Sequence, residues 1–279
     1  MKLEVILKPG VRVALFAVAM TCGACQPKTI EVVPARETPL ARACAVVNGN
    51  VARIAGTLRA TGPVDARVVD ADGRTRTFSL DGTLFYLAPH FVRFDLKKLG
   101  ATQVRVGSNA TRFWYYAKDT DRYECGWHGR HRVRGWDLPI MPEELVEAFG
   151  LTPIPTGLIV PGEVTRLQRI ERDYQQVLFL HESAGRGIRI AKEYWLDRYP
   201  PHLTRRVVFR NEIGGVDMLS NLGDYRRLGA GGPLLPHRLD VEWFDPPLKL
   251  RFKVRRWKSV PQVVEDGIQF RTPGECANP

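Results

Sequence analysis

Apolar and charged residues alternate along much of the sequence, and the longest alternation lies near its C-terminal end. The stretch LKLRFKVR at 248–255 places every apolar side chain on one strand face and every basic one on the other. Shorter alternations occur at 92–97 (VRFDLK) and 103–106 (QVRV). This period of two is typical of an antiparallel sheet with one apolar and one wet face. A hairpin turn is predicted at Ala71-Asp72-Gly73, with further strands at 163–173, 175–181, 187–198, 204–211 and 238–244.

Two short amphipathic helices interrupt this pattern. The first is predicted to begin at Pro39 and to end at Asn48 and Gly49. The second is predicted to begin at Pro142 and to end at Gly150. No regular alternation of strands and helices occurs, which excludes a doubly wound parallel sheet.

These elements predict a mainly β protein of α+β type with about ten antiparallel strands. A long sheet with one apolar face has to cover that face, so we expect it to curl into a strongly curved sheet or incomplete β-barrel. The short helices then act as a lid or plug. Because they are few and short, we expect some apolar volume to stay open for an apolar ligand.

The N-terminal segment has the pattern of an export signal. A basic front precedes an apolar run at 13–20 that is too short to span a bilayer. Gly23 and Ala24 before Cys25 match the small pair of a lipidation site, although Cys22 stands where a Leu is usual. We expect a signal peptide at 1–24, lipidation of Cys25 rather than Cys22, a tether at 25–36 and one domain at 37–279. An ordinary signal peptide without a lipid is the alternative.

The net charge of +11 changes the expected partners. An exported protein meets little nucleic acid, so we expect none as a partner. Anionic lipid head groups fit a basic exported protein better, and a generally basic surface is the alternative.

The stretch 81–126 resembles the LolA/LolB-like carriers that localise lipoproteins in Gram-negative bacteria. Its matching pieces are GTLFY at 82–86, Pro89, VRFD at 92–95, VRVGSN at 104–109 and FWYY at 113–116. The order of a preceding helix, a following helix and a strand-rich C-terminal half also resembles that family. One departure is Ala88, because the soluble carrier has an Arg there that helps to hold its lid shut.

The resemblance implies an incomplete barrel whose apolar interior takes the acyl chains of lipids or lipoproteins. It also implies an outer-membrane location facing the periplasm, with a lipid anchor. The residues expected to line this interior are Leu84, Tyr86, Val92, Phe94, Leu96, Phe113, Tyr115, Leu145, Phe149, Leu250 and Phe252.

Catalytic chemistry has weak support in the sequence, so we predict that the protein is not an enzyme and that it needs no cofactor. Cys125, His128 and His131 have a spacing that could bind Zn²⁺, but a glycine-rich hairpin end with surface histidines explains them better. Cys44, Cys125 and Cys276 allow one disulfide, and the sequence does not choose the pair.

The sequence therefore favours a lipid-anchored envelope protein that binds acyl chains in an apolar cavity, in lipoprotein sorting or lipid transport to the outer membrane. One alternative is a structural or assembly lipoprotein with a closed core that binds a protein or polysaccharide. A weaker alternative is a zinc-dependent hydrolase.

Overall fold

The computed structural model describes residues 39–69, 72–128, 141–155, 163–170, 173–183, 187–260 and 270–277. The predicted signal peptide, the lipidation of Cys25 or Cys22 and the tether lie outside the described residues. His131 and the predicted turn at 184–185 lie outside them as well.

Most of the described residues belong to one antiparallel sheet of fourteen strands. Its path runs β6-β5-β4-β3-β2-β1-β15-β14-β11-β10-β9-β8-β7, with β16 also pairing with β1, and the sheet is not closed. The fold class is therefore confirmed, with more strands than the sequence predicted. The strands are β1 (Thr57–Val69), β2 (Thr75–Leu87), β3 (Phe91–Lys98), β4 (Ala101–Ser108), β5 (Arg112–Ala117), β6 (Arg122–Trp127), β7 (Glu163–Ile170), β8 (Tyr174–Ser183), β9 (Gly187–Asp197), β10 (Thr204–Arg210), β11 (Val216–Gly223), β14 (Arg238–Phe244), β15 (Pro247–Lys253) and β16 (Arg256–Val260), with β12 (Arg226–Arg227) and β13 (Leu234–Leu235) forming a separate pair.

The sheet curls around helix α2 (Pro142–Ala148). This helix contacts both β4 and β10, which lie seven strand positions apart in the sheet. In a flat sheet those two strands would be about 34 Å apart, whereas a helix of this length extends for only about 10 Å. The two halves of the sheet must therefore bend toward each other with α2 between them.

Strand β1 is long enough to pair with two strands along one of its edges. Residues 64–68 pair with β15, and residues 57–61 pair with β16. Gly62 lies at the change of partner, where an added Cβ would lie only 2.0 Å from the Lys253 carbonyl oxygen. A side chain at this position would push the two backbones apart, so glycine is required here.

Helix α1 spans Leu40–Val51, so the prediction was wrong at both ends of this helix. Pro39 is the residue before the helix, and the helix continues through Asn48 and Gly49. Asn48 pairs its side-chain amide with the backbone N–H and C=O of Ile154, both at 2.8 Å. Asn50 does the same with Leu234, at 2.7 and 2.9 Å. These polar side chains attach α1 to a distant loop and to strand β13 instead of ending the helix.

Helix α2 confirms the prediction for its region. After the helix, Gly150 has a φ of +68°, a conformation that glycine adopts without strain. The Gly150 N–H donates to the Glu147 carbonyl, and the Leu151 N–H donates to the Val146 carbonyl. This pair of bonds is the Schellman motif, so Gly150 ends the helix as the sequence indicated.

The late strands were predicted more accurately than β11. Strand β14 has the predicted bounds, and burial alternates along β15 as the sequence requires. The sequence analysis did not identify β11, in which Met218, Ser220 and Leu222 point into the core. Ser220 donates a hydrogen bond of 2.6 Å to the Ala148 carbonyl at the end of α2, so a polar residue breaks the apolar alternation.

A disulfide joins Cys125 in β6 to Cys276 in helix α3 (Gly274–Ala277). Cys44 is buried in α1 and takes no part in it. The bond holds the C-terminal segment against β5 and β6, where Arg112 also donates to the Cys276 carbonyl. Phe270 of the same segment is buried against Phe91. A terminal strand of the open sheet is therefore partly covered.

The outer face of the sheet carries a buried carboxylate. Asp95 is 2 % exposed and accepts hydrogen bonds from Arg93 on its own strand and from Arg105 on β4. Burial alone would raise the pKa of this carboxyl, but the hydrogen bonds and charges of the two arginines outweigh it and hold the pKa below its usual range.

The lowered pKa of Asp95 gives stability a defined pH dependence. A depressed carboxyl pKa contributes stability that is fully present above the unfolded pKa of about 3.9 and is lost as the pH falls through the folded value. We expect Asp95→Asn to lower the free energy of unfolding by about 2 kcal/mol at neutral pH, and this difference to shrink below about pH 4. Urea unfolding of both proteins between neutral and acidic pH measures it. Asp240→Asn, in an exposed ion pair with Arg251, is the control and should change stability by less than about 1 kcal/mol. A difference that stays constant down to low pH would contradict the prediction.

No helix in the described part of the chain combines the length and the apolar character needed to cross a membrane.

Candidate functional site

The inner face of the sheet has a packed half and an open half. Because all pairs are antiparallel, the turns β3–β4, β5–β6 and β14–β15 lie together at one end of the sheet, here called the mouth end. At the opposite end, α1 leads into the start of β1, and its Ala43, Cys44 and Val47 are buried in the core. The helices therefore fill one end of the curled sheet and leave the other end less filled.

The open half holds a cavity of about 530 Å³. Its walls come from β1 to β5 on one side and from β14 and β15 on the other, and Leu145 of α2 contributes from the helix layer. The lining is mostly apolar: Ala66, Val68, Phe78, Leu80, Phe94, Leu96, Val104, Val106, Tyr115, Ala117, Leu145, Trp243, Pro246, Pro247, Leu248 and Leu250. The sequence expectation of unfilled apolar volume is met here.

The polar lining residues lie at the mouth end. Arg76, Lys98 and Lys118 are exposed basic residues, with Asp119 as the carboxylate among them and Gln103 half-buried. Because these exposed side chains belong to the lining, the cavity reaches the protein surface at this end. Its entrance carries more positive than negative charge.

The residues predicted to line the cavity fall into three groups. Phe94, Leu96, Tyr115, Leu145 and Leu250 line it. Phe94 also stacks edge-on against Phe149 and lies 5.4 Å from the Phe252 ring, so it forms the boundary with the packed core. Five other predicted residues belong to that core and not to the lining: Leu84, Tyr86, Val92, Phe149 and Phe252.

Phe113 lies apart from both groups. It occupies the same strand as Tyr115, but it is buried where its ring covers Gly126 and lies 5.8 Å from the His128 ring. An added Cβ on Gly126 would come within 2.1 Å of that ring. The two aromatic residues share a strand face, yet they lie at different heights along it, and only the one nearer the mouth end reaches the cavity.

Helix α2 is attached to both halves of the sheet by charged contacts. Glu147 accepts a hydrogen bond from the Tyr194 hydroxyl and forms an ion pair with Lys192 on β9, with 2.8 Å between the charged atoms. Near its other end, Glu143 contacts His128, which follows β6. The helix that carries Leu145 into the cavity is therefore fixed by side chains from β9 and from the β6 side.

Apart from the polar residues at the mouth end, the lining includes Tyr115 and Trp243, whose side chains have an O–H and an N–H group. Burial and the charges of Asp119 and Glu124 raise the pKa of Tyr115, so its hydroxyl stays protonated at neutral pH. Trp243 is 2 % exposed, and its indole N–H has no hydrogen-bond partner among the described residues. This nitrogen is itself buried, so Trp243 contributes ring surface to the cavity wall and no exposed donor.

The zinc alternative loses one of its ligands. Cys125 is bonded to Cys276, so its sulfur is not available as a thiolate. Within the described residues, no three His, Cys, Asp or Glu side chains are grouped so that they could hold a metal ion. The His128 side chain contacts Glu143 and makes a hydrogen bond of 2.7 Å with the Asn109 carbonyl.

Fold and cavity together define a class of protein: an open antiparallel half-barrel that encloses an apolar cavity beneath a helix. This arrangement suits the binding of an apolar ligand, because the cavity offers an apolar surface against which the ligand can be buried.

Comparison with solved structures finds proteins of similar fold. A LolA superfamily protein from Nitrosomonas europaea matches with a TM-score of 0.50 at 9 % identity, over 82 % of this chain and 97 % of that one. A DUF1329 family protein from Desulfovibrio piger also matches with a TM-score of 0.50, at 8 % identity, over 82 % of this chain and 96 % of that one. A domain classed as an outer membrane lipoprotein-sorting protein from Vibrio parahaemolyticus matches with a TM-score of 0.48 at 10 % identity, over 80 % of this chain and 94 % of that one. The chain has the LolA-like fold, which confirms the resemblance seen in its sequence.

Comparison of the sequence alone finds less. No family model matches the chain, and no curated protein matches it. The likeness to these proteins is therefore one of fold.

Several features of the site were not predicted from the sequence. The basic mouth residues Arg76, Lys98 and Lys118 were not singled out, nor was Trp243. Leu99 in the β3–β4 turn is 97 % exposed, although Leu is an apolar residue. The signal for this turn was available, because a Lys-Lys-Leu-Gly sequence at 97–100 interrupts the strand pattern.

Proposed function

We propose that this protein is a lipid-anchored envelope protein that binds acyl chains in the mouth-end cavity and takes part in lipoprotein sorting or lipid transport to the outer membrane. The observation that carries the proposal is the apolar cavity of about 530 Å³ inside a LolA-like half-barrel. Its mechanism is exchange, because the site offers burial and hydrogen-bond donors rather than reacting groups.

Burial of the acyl chain supplies the affinity. Each buried methylene contributes about 0.8 kcal/mol of binding free energy. An acyl chain of ordinary membrane length therefore gains enough free energy from burial to favour the cavity over water. Release then requires a competing apolar environment, which a membrane or another carrier provides. Movement of α2 would change the cavity directly, because Leu145 lines it and Glu147 ties the helix to β9.

The N-terminal segment completes the proposal. A signal peptide at 1–24, lipidation at Cys25 and a tether at 25–36 would hold the domain at 37–279 close to a membrane. A multiply acylated cysteine gives lasting attachment, because each buried methylene adds to membrane affinity. Such an anchor places the cavity near the lipids with which it exchanges.

Leu99 gives the mouth end a contact for the bilayer. The fully exposed side chain follows Lys97 and Lys98 at the tip of the β3–β4 turn. An apolar tip beside basic residues fits the surface of an anionic membrane, where the lysines meet head groups and the leucine enters the acyl layer. The cavity entrance lies at the same end of the sheet.

Uptake and delivery of a fluorescent fatty-acid analogue test this function. The purified protein should bind the probe saturably, release it to a competing acylated lipoprotein and deliver it to anionic vesicles. Leu99→Glu should keep uptake and slow delivery about tenfold, because a charge replaces the inserted apolar side chain. Tyr199→Glu, an exposed position at the opposite end of the sheet, is the matched control and should deliver normally. Absence of uptake at micromolar probe would remove the proposal, and normal delivery by Leu99→Glu would remove the role of the tip.

The assembly alternative is less well supported. It required a closed and fully packed interior, whereas the interior holds a cavity that reaches the surface.

A further inference from the structure

The cavity volume limits how much hydrocarbon the protein can take. A methylene group occupies about the volume of a water molecule, ~30 Å³. A cavity of about 530 Å³ therefore corresponds to about 18 such groups. That is one acyl chain of ordinary membrane length, and two such chains need about twice the volume.

The entrance favours a negatively charged head. Arg76 on β2, Lys98 at the end of β3 and Lys118 after β5 surround it with three basic side chains against one carboxylate, Asp119. All four are exposed. A chain whose tail fills the cavity must leave its polar end at this entrance, among these side chains.

Tyr115 adds a hydroxyl donor to the lining residues. Burial and the charges of Asp119 and Glu124 raise its pKa, so the hydroxyl is protonated at neutral pH. A protonated hydroxyl can donate a hydrogen bond to an oxygen atom of a carboxylate, an ester or a phosphate.

We infer that the ligand of this cavity is a single-chain anionic amphiphile, such as a fatty acid or an anionic lysophospholipid, with one chain bound per protein and about 18 of its carbons enclosed. The basic entrance residues hold its head, and the cavity holds its tail. This inference rests on the proposed acyl-binding function and adds the number of chains and the charge of the head.

Titration of the full chain with a series of amphiphiles tests the inference. Palmitate and lysophosphatidylglycerol should each bind with a stoichiometry of one in native mass spectrometry. Affinity for fatty acids should rise about fourfold per methylene and stop rising near 18 carbons. Lysophosphatidylglycerol should bind about tenfold more tightly than zwitterionic lysophosphatidylcholine, and added salt should reduce this ratio. Diacyl phosphatidylglycerol should bind more weakly than its single-chain form.

Variants separate the entrance charges from the general basic surface. The double variant Lys98→Gln with Lys118→Gln should bring the ratio of anionic to zwitterionic affinity close to one. The double variant Lys249→Gln with Lys253→Gln removes two exposed lysines from the opposite face of the sheet and should retain the full ratio. A preference for palmitate over the lysolipid would identify a free fatty acid as the source of the anionic head.

Three results would overturn the inference. Two or more chains per protein would contradict the volume argument, and equal affinities for the two lysolipids would contradict the role of the entrance charges. Loss of the preference in the Lys249 and Lys253 control would also contradict it. These outcomes leave acyl binding itself intact, whereas failure of every amphiphile to bind overturns the proposed function and this inference together.

Discussion

Val104→Trp should lower the affinity for a fatty acid about 100-fold. Val104 lies on β4, lines the cavity and is only partly buried. A tryptophan side chain at this position would fill space that the acyl chain needs. Exclusion of three or four methylenes, at about 0.8 kcal/mol each, corresponds to about two orders of magnitude in the dissociation constant. Competition binding with palmitate and a fluorescent analogue measures the change.

Thr77→Trp is the matched control for this experiment. Thr77 is exposed on β2 and faces the outer groove between β1, β14 and β15. The same large side chain placed there should leave the affinity within about twofold of the original protein. Unchanged binding by a folded Val104→Trp variant would show that the acyl chain does not occupy the cavity.

Cys276→Ser should lower the free energy of unfolding by about 2–5 kcal/mol. The disulfide joins residues 151 positions apart, so its loss frees a long loop in the unfolded chain. The variant also releases the C-terminal segment that Arg112 and Phe270 hold against the sheet. Denaturant unfolding measures the loss, and hydrogen exchange should show faster exchange in β5 and β6.

Reduction of the unaltered protein provides the control. Dithiothreitol should destabilise the original protein by a similar amount and should have little further effect on Cys276→Ser. A protein whose unfolding midpoint is the same in oxidising and reducing buffer would contradict the stabilising role of this bond.

The fold was predictable where local pattern and final environment agree. The charged and apolar faces of β15 appear in the sequence because one face meets water and the other meets the core. The end of α2 was predictable because Gly150 adopts a backbone conformation that few other residues tolerate. In both cases the deciding interactions are local.

Prediction failed where a distant partner decides the role of a residue. Asn48 is a residue type that often ends helices, but here its side chain forms hydrogen bonds with the backbone of Ile154, 106 residues away. Ser220 occupies a core position of β11 although it is polar, because its hydroxyl donates a hydrogen bond to the end of α2. A polar residue at this position interrupts the apolar alternation by which the strand could have been predicted. The choice of Cys276 as the partner of Cys125 depends on where the C-terminal segment lies, which no spacing rule specifies.

The cavity lining was only partly predictable for a geometric reason. Alternation tells which face of a strand a residue occupies, but it does not tell how far along the sheet the helices reach. Leu84 and Leu96 both point inward, yet Leu84 lies in the packed core and Leu96 lies in the cavity. The division between them depends on the position of α2 and on the extent of the packed end.

Photo-crosslinking tests the central claim most directly. A fatty acid with a diazirine at its terminal carbon would be bound to the purified protein, irradiated and mapped by mass spectrometry. We predict crosslinks on Leu145, Phe94 and Val106, at the inner lining of the cavity, and their loss when excess palmitate is present. Crosslinks confined to the outer face of β1, β14 and β15, or crosslinks that palmitate does not reduce, would contradict the binding of an acyl chain inside the half-barrel.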